Sequence, residues 1–160
     1  MVTPNPGASA LFLREAEVRR GIELMHFGQG VLARAIDPAL EAAGIGRAHQ
    51  RALYFIARQP DLSVTDLLRL LSVTKQSLGR VLTDLEARGL VETRQGRNDR
   101  RQRLLRLTAD GAALETRLFE AMRARLAAAY AEAGQDMVTG FWRVLEGLIP
   151  EADRARLFRP

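Results

Sequence analysis

Residues 63–107 read SVTDLLRLLSVTKQSLGRVLTDLEARGLVETRQGRNDRRQRLLRL, and their spacing decides the fold. Ser63-Val64-Thr65-Asp66 is a capping box, in which Ser63 accepts from a first-turn amide while Asp66 reaches back. It opens a helix with Leu67, Leu70 and Leu71 inward. A three-residue turn follows, near Leu71 to Val73. Thr74 then caps a second helix with Leu78, Val81, Leu82 and Leu85 on its inner face. Gly89 ends that helix, as a left-handed C-terminal cap requires. Two helices joined by so short a turn form a helix-turn-helix. Val91 to Gln95 and Arg103 to Leu107 are predicted strands around a turn at Gly96 to Asp99, where Gly96 and Asn98 supply turn chemistry. A hairpin placed directly after a helix-turn-helix makes the motif winged.

The hairpin also carries the charge. Arg94 to Arg106 holds six arginines and one aspartate, a net +5 that equals the net charge of the whole chain. The rest of the protein is neutral. A basic hairpin on a neutral body calls for a polyanion, and double-stranded DNA is the partner expected.

Outward from this centre the chain is helical. Val18, Ile22, Met25, Leu32 and Ile36 trace one stripe from Leu11 to about Leu40, interrupted by Gly28 and Gly30. Gly44 and Gly46 mark a break, and Arg47 to Arg58 is a short helix stopped before Pro60. Thr108 starts a long helix with Leu114, Leu118, Met122, Leu126 and Ala129 on one stripe. Gly134 breaks it. A last helix runs from about Asp136 to Ile149 with Met137, Phe141, Leu145 and Leu148 inward, and Pro150 ends it. The expected architecture is mainly α with a small β-hairpin wing. It is a winged helix-turn-helix over about 47–108, with N- and C-terminal dimerisation helices over about 11–40 and 109–149. Together they form one domain, 11–149, between a disordered tail at 1–10 and a C-terminal tail at 150–160. The terminal stripes need a surface to cover them: a twofold homodimer, or packing of the two helices within one chain.

The recognition helix presents Gln76, Arg80 and Thr83 opposite its leucines, flanked by Lys75, Ser77 and Gly79. Arg80 suits a bidentate pair with guanine and Gln76 one with adenine. Thr74, Lys75 and Ser77 suit phosphates near the helix N-terminus. In mid-helix Gly79 costs ~1 kcal/mol relative to alanine, and closer approach of backbone to DNA would offset that. Arg97, Arg100, Arg101 and Arg103 surround the hairpin turn, where arginine suits a narrow minor groove. Asp99, the one acid there, is assigned to orient a neighbouring arginine. Two rivals stand beside this reading, a protein-interaction module built on the winged fold and a non-specific architectural DNA binder, and the polar face at Gln76, Arg80 and Thr83 argues against both.

Other classes find little support. The chain has no cysteine, which removes disulfides, thiolate zinc sites and thiol redox sensing. His26 and His49 are scattered imidazoles, so no metal site and no cofactor are expected. Gln29 sits on the apolar stripe of the first helix, either lining a pocket or serving as an interface amide. No nucleophile triad, phosphate loop or spaced carboxylate pair appears, and no enzyme is expected. No apolar run reaches the ~18–20 residues of a membrane span, and the first ten residues do not form a signal peptide. A cytoplasmic protein is expected.

Asp99 to Gly111, DRRQRLLRLTADG, resembles the D-x-R-x(5)-LT-x-x-G signature of MarR-family regulators. Leu85 to Gly96, LEARGLVETRQG, resembles that family's approach to the wing. The resemblance spans about residues 12–149, and three stretches (GRAHQRALYFIARQP, LLSVTKQSLGRVL and RNDRRQRLLRLTADG) look most like its PetP-type branch. It implies a triangular homodimer with two winged domains in successive major grooves of a pseudo-palindrome, acting as a transcriptional regulator, by family habit a repressor. It places the minor-groove arginine at Arg101 and the recognition contacts at Thr74 through Ser77 and Arg80. It also implies a small-molecule effector in the crevice below the winged domain, lined here by Met25, His26, His49, Arg51 and Tyr54.

Overall fold

The computed structural model describes residues 14–96, 102–151 and 153–154. In chain order these form α1 (Glu15–Arg34), α2 (Asp37–Ala43), α3 (Arg47–Arg58), β1 (Leu62–Ser63), α4 (Val64–Leu71), α5 (Lys75–Ala87), β2 (Val91–Gln95), β3 (Arg103–Leu107), α6 (Ala109–Ala133) and α7 (Gln135–Leu148). The strands make one antiparallel sheet in the order β1-β3-β2. Val91 pairs with Leu107 and Gln95 with Arg103, so the hairpin has the expected limits. The short strand β1 was not foreseen. Two residues are too few to show a period, and Leu62 becomes a strand only because Leu105 lies opposite it.

The core gathers around α3. Leu53 and Ile56 of that helix, Leu67 of α4, Leu78 and Leu85 of α5, Leu105 of β3 and Leu118 of α6 are all fully buried, in one continuous apolar cluster. Helical spacing explains the choice: in α5 the leucines at 78, 82 and 85 share one face. Ile36 and Leu40 extend the cluster toward α2.

One expected element divides. The stripe to Leu40 is not a single helix, because α1 stops at Arg34 and α2 begins at Asp37. Pro38 explains the stop. Inside a continuous helix its ring would strike the Arg34 carbonyl and leave it without a donor, whereas in the first turn of α2 its missing N–H costs nothing. Gly28 and Gly30, by contrast, are passed without a break. Beyond α7 the backbone makes one more turn, with Asp153 and Arg154 donating to the Pro150 carbonyl in what was expected to be a tail.

The terminal helices keep an uncovered apolar face in the single chain. Val18, Ile22 and Met25 of α1 are exposed. So are Met137, Phe141 and Leu148 of α7, which were expected to point inward; Val138 is the α7 residue that is buried. Packing of the two stripes within one chain therefore does not occur at these residues.

The start of α6 is welded to the end of α5. Gly89 takes φ +67° and closes α5, with Leu90 N–H reaching the Leu85 carbonyl at 2.9 Å. Thr108 then caps α6 by accepting from Gly111 N–H at 3.0 Å, while its hydroxyl donates to the Gly89 carbonyl at 2.6 Å and its own N–H to Leu90 at 3.1 Å. Gly111 sits so close to this turn that a Cβ would lie 1.9 Å from the Leu90 oxygen. Space, not φ, requires glycine there. Gly111→Ala should lower stability by ~2–3 kcal/mol in urea unfolding at fixed protein concentration. A loss within ~0.5 kcal/mol would show that the two elements separate freely.

Candidate nucleic-acid interface

Ser63 caps α4 and accepts from Asp66 N–H at 3.0 Å. Asp66 returns the contact through the Ser63 hydroxyl at 2.7 Å, a variant of the expected box. Ser72 ends α4 at φ 52°, turning the chain so that Thr74 becomes the cap of α5. Thr74 accepts from Ser77 N–H at 3.2 Å, and its hydroxyl lies 2.9 Å from that of Ser77. The two hydroxyls thus fix the first turn of the recognition helix and stay exposed at its tip.

With Leu78, Leu82 and Leu85 buried, the opposite face is bare. Lys75, Gln76, Gly79, Arg80 and Thr83 are exposed. The side chains of Lys75, Gln76, Arg80 and Thr83 make no hydrogen bond or ion pair with the described residues. A Cβ on Gly79 would meet nothing within 4 Å, so the protein's own packing does not require that glycine.

The rear of α5 is anchored through its two acids. Asp84 receives His49 Nε2 at 3.0 Å and Arg88 Nε at 2.9 Å, and Arg88 also reaches the Ala43 carbonyl at 3.3 Å. Glu86 receives the Thr93 hydroxyl from β2 and Arg103 from β3, the latter at 3.2 Å. Arg103, expected beside the DNA, is therefore held against the recognition helix. On the far side of the sheet Arg106 pairs with Asp61, its Nε at 2.6 Å. That hydrogen bond, and then the charge of Asp61, raise the Arg106 pKa above the ordinary arginine value. Arg97, Asp99, Arg100 and Arg101 lie outside the described residues.

The residues expected to line an effector crevice separate. Tyr54 does line a cavity of about 390 Å³ between α1, α3 and α6, together with Leu32, Gln50, Met122, Arg123 and Tyr130. His49 does not line it. Its Nδ1 accepts from Gly46 N–H at 3.1 Å, which leaves the neutral ring's proton on Nε2 for Asp84. Arg51 caps the end of α4 by donating to the Leu71 carbonyl at 3.0 Å. Met25 and His26 are exposed on α1, His26 edge-on to Phe27 at 5.5 Å. Gln50 was missed although it stands one helical turn before Tyr54. Arg123 and Tyr130 were missed because they enter only through the packing of α6 on α3. Among the described residues no group of three or more His, Asp or Glu is placed to hold a metal, and no helix is long and apolar enough to cross a membrane.

The profile of the MarR family matches residues 43–102, the stretch from the end of α2 into the wing. The chain is also 49% identical to the HTH-type transcriptional regulator PetP of Rhodobacter capsulatus, over 92% of this chain and 89% of that protein. The chain belongs to the MarR family. A mutant MarR from E. coli complexed with operator DNA has a similar fold, with TM-score 0.66 and 25% identity over 89% of this chain and all of that one. NadR in complex with 4-hydroxyphenylacetate aligns over 92% of this chain and 97% of its own, with TM-score 0.70 and 27% identity. Within the MarR family frame, the bare face of α5 belongs to the second helix of the helix-turn-helix and the Thr108–Gly111 weld to the LT-x-x-G part of the signature.

Thr74 holds the tip of this face. Thr74→Ala should cost ~1 kcal/mol of stability, while Thr74→Ser should hold most of it. Equal unfolding midpoints for all three proteins would show that the cap contributes nothing.

Proposed function

We propose that this MarR-family regulator binds a pseudo-palindromic operator as a homodimer, acting as a cytoplasmic repressor without enzymatic activity. The bare polar face of α5 carries this reading. A solvated helix face needs no glycine at its centre, whereas close approach of a phosphate backbone or base edge benefits from one. Gln76, Arg80 and Thr83 are the base-reading set, and Thr74, Lys75 and Ser77 are the phosphate set. Arg97, Arg100 and Arg101 in the wing tip add affinity, with Asp99 orienting a neighbour and Arg101 entering the minor groove.

The terminal helices supply the twofold contact. The apolar residues exposed on α1 and α7 (Val18, Ile22, Phe141, Trp142 and Leu148 among them) are too many and too contiguous for a solvent face. Covering them with a second copy sets two recognition helices about one turn, ~34–36 Å, apart. The functional division is then a reading head over about 47–108, carried on dimerisation helices at either end.

The cavity between α1, α3 and α6 is the effector site in this account. Its walls are mostly apolar, and its one guanidinium, Arg123, faces Glu120 at 2.7 Å. Helix α3 links it to the DNA-reading helices: Gln50 and Tyr54 face the cavity, while His49 grips α5 and Arg51 grips α4. A ligand that displaces α3 has a direct route to the half-site spacing, and it acts only by preferring one spacing over another.

Three outcomes follow. Arg80→Ala should cost ~1–3 kcal/mol at the cognate site and relax specificity there. Arg101→Ala should weaken binding most where A·T flanks narrow the groove. Fluorescence anisotropy at physiological salt reads both, and unchanged affinity in both variants would refute the DNA-facing assignment. Filling the cavity by Ala127→Trp should shift operator affinity by about fivefold or more, within the usual range of coupling energies. An operator affinity equal to wild type would remove the cavity from regulation.

A further inference from the structure

The recognition helix places its only two acids, Asp84 and Glu86, in its last turn. That end of a helix dipole is negative, and each carboxylate is disfavoured there by ~0.3–1 kcal/mol. Asp84 is held by His49 of α3 and by Arg88 at the C-cap of α5 itself, which also reaches the Ala43 carbonyl. Glu86 reaches the other way. Its carboxylate takes the Thr93 hydroxyl from one wing strand and the Arg103 guanidinium from the other, so a single side chain joins α5 to both strands. Glu86 is the more enclosed partner, with its side chain 31% exposed against 59% for Arg103.

We propose that Glu86 is a specificity-determining positioning residue, which sets the angle of the wing to the recognition helix and withholds Arg103 from the DNA phosphates. The proposal rests on the DNA-binding reading above. Two donors on one carboxylate from two strands fix the base of the hairpin in direction as well as distance. Were Arg103 to leave for a phosphate, Glu86 would stand beside the polyanion with its charge uncompensated. The pair therefore stays closed on DNA.

The test is the salt dependence of binding to an operator duplex and to a scrambled duplex, for wild type, Glu86→Ala, Glu86→Gln and the double variant Glu86→Ala/Arg103→Ala. Each neutralised phosphate contributes about 0.9 to the slope of log affinity against log salt. Glu86→Ala frees Arg103, so the slope should steepen by about 0.9 per protomer and scrambled DNA should bind more tightly. The ratio of operator to scrambled affinity should fall roughly tenfold, about the effect of one mismatched base pair. Glu86→Gln keeps an acceptor for Thr93 and loses the charge. It should steepen the slope equally while retaining more of the ratio. The double variant Glu86→Ala/Arg103→Ala removes both charges of the pair and should keep the wild-type slope. A slope shallower than wild type by about 0.9 per protomer in the double variant would make Arg103 an ordinary phosphate contact and overturn the proposal. So would an unchanged slope and ratio in a Glu86→Ala protein with wild-type melting. Failure of the wild type to prefer the operator would instead defeat the operator-binding reading, and the proposal with it.

Discussion

The carbonyl of Leu90 is the joint on which the architecture turns. It receives the Thr108 amide, and the first turn of α6 lies against it because Gly111 has no side chain. The same short segment closes α5 through the left-handed Gly89. One turn of backbone thus ends the recognition helix, starts β2 and fixes the direction of the 25-residue helix α6. A long helix held rigidly at one end magnifies any change of angle at the other. In the proposed dimer, the separation of the two reading heads would depend on a contact a few ångströms across.

Around that joint α5 is restrained on every side except the one that faces outward. Its leucines are locked in the core, Thr74 closes its front, Asp84 ties its rear to α3 and Glu86 ties it to the wing. None of the exposed ion pairs need be worth more than ~1 kcal/mol in stability. Their value lies in direction. A helix that reads base edges must arrive within a fraction of an ångström, and several weak restraints from different elements define an orientation better than one strong restraint does.

Much of this was legible in the sequence, for reasons that differ by residue. The capped pair α4–α5 and the limits of the wing strands rest on local signals: Ser63, Thr74 and Gly89 at the helix ends, and Gly96 and Asn98 at the hairpin turn. The bare face of α5 was readable because the leucine period leaves no other place for Gln76 and Arg80. The break between α1 and α2 was also local, at Pro38, but the apolar stripe runs on through it to Leu40 and hides it. The ion pair of Arg103 was not readable. Its partner Glu86 is 17 residues away and meets it only after the hairpin folds back. The lining of the cavity was not readable for the same reason: His49 and Arg51 share a helix with Gln50 and Tyr54, and which of them face the hollow depends on how α6 crosses α3. The LT-x-x-G signature was recognisable as a pattern, yet the physical need for its glycine appears only with Leu90 in place.

Hydroxyl-radical footprinting of the purified protein on genomic fragments, its own promoter among them, tests the central claim most directly. Two bare α5 faces carried on a twofold frame predict a symmetric protected stretch of about two helical turns, with its half-sites one turn apart. Uniform weak protection along the fragments, or none, would contradict the account, because a recognition helix held this rigidly and left this bare would then have no sequence to read.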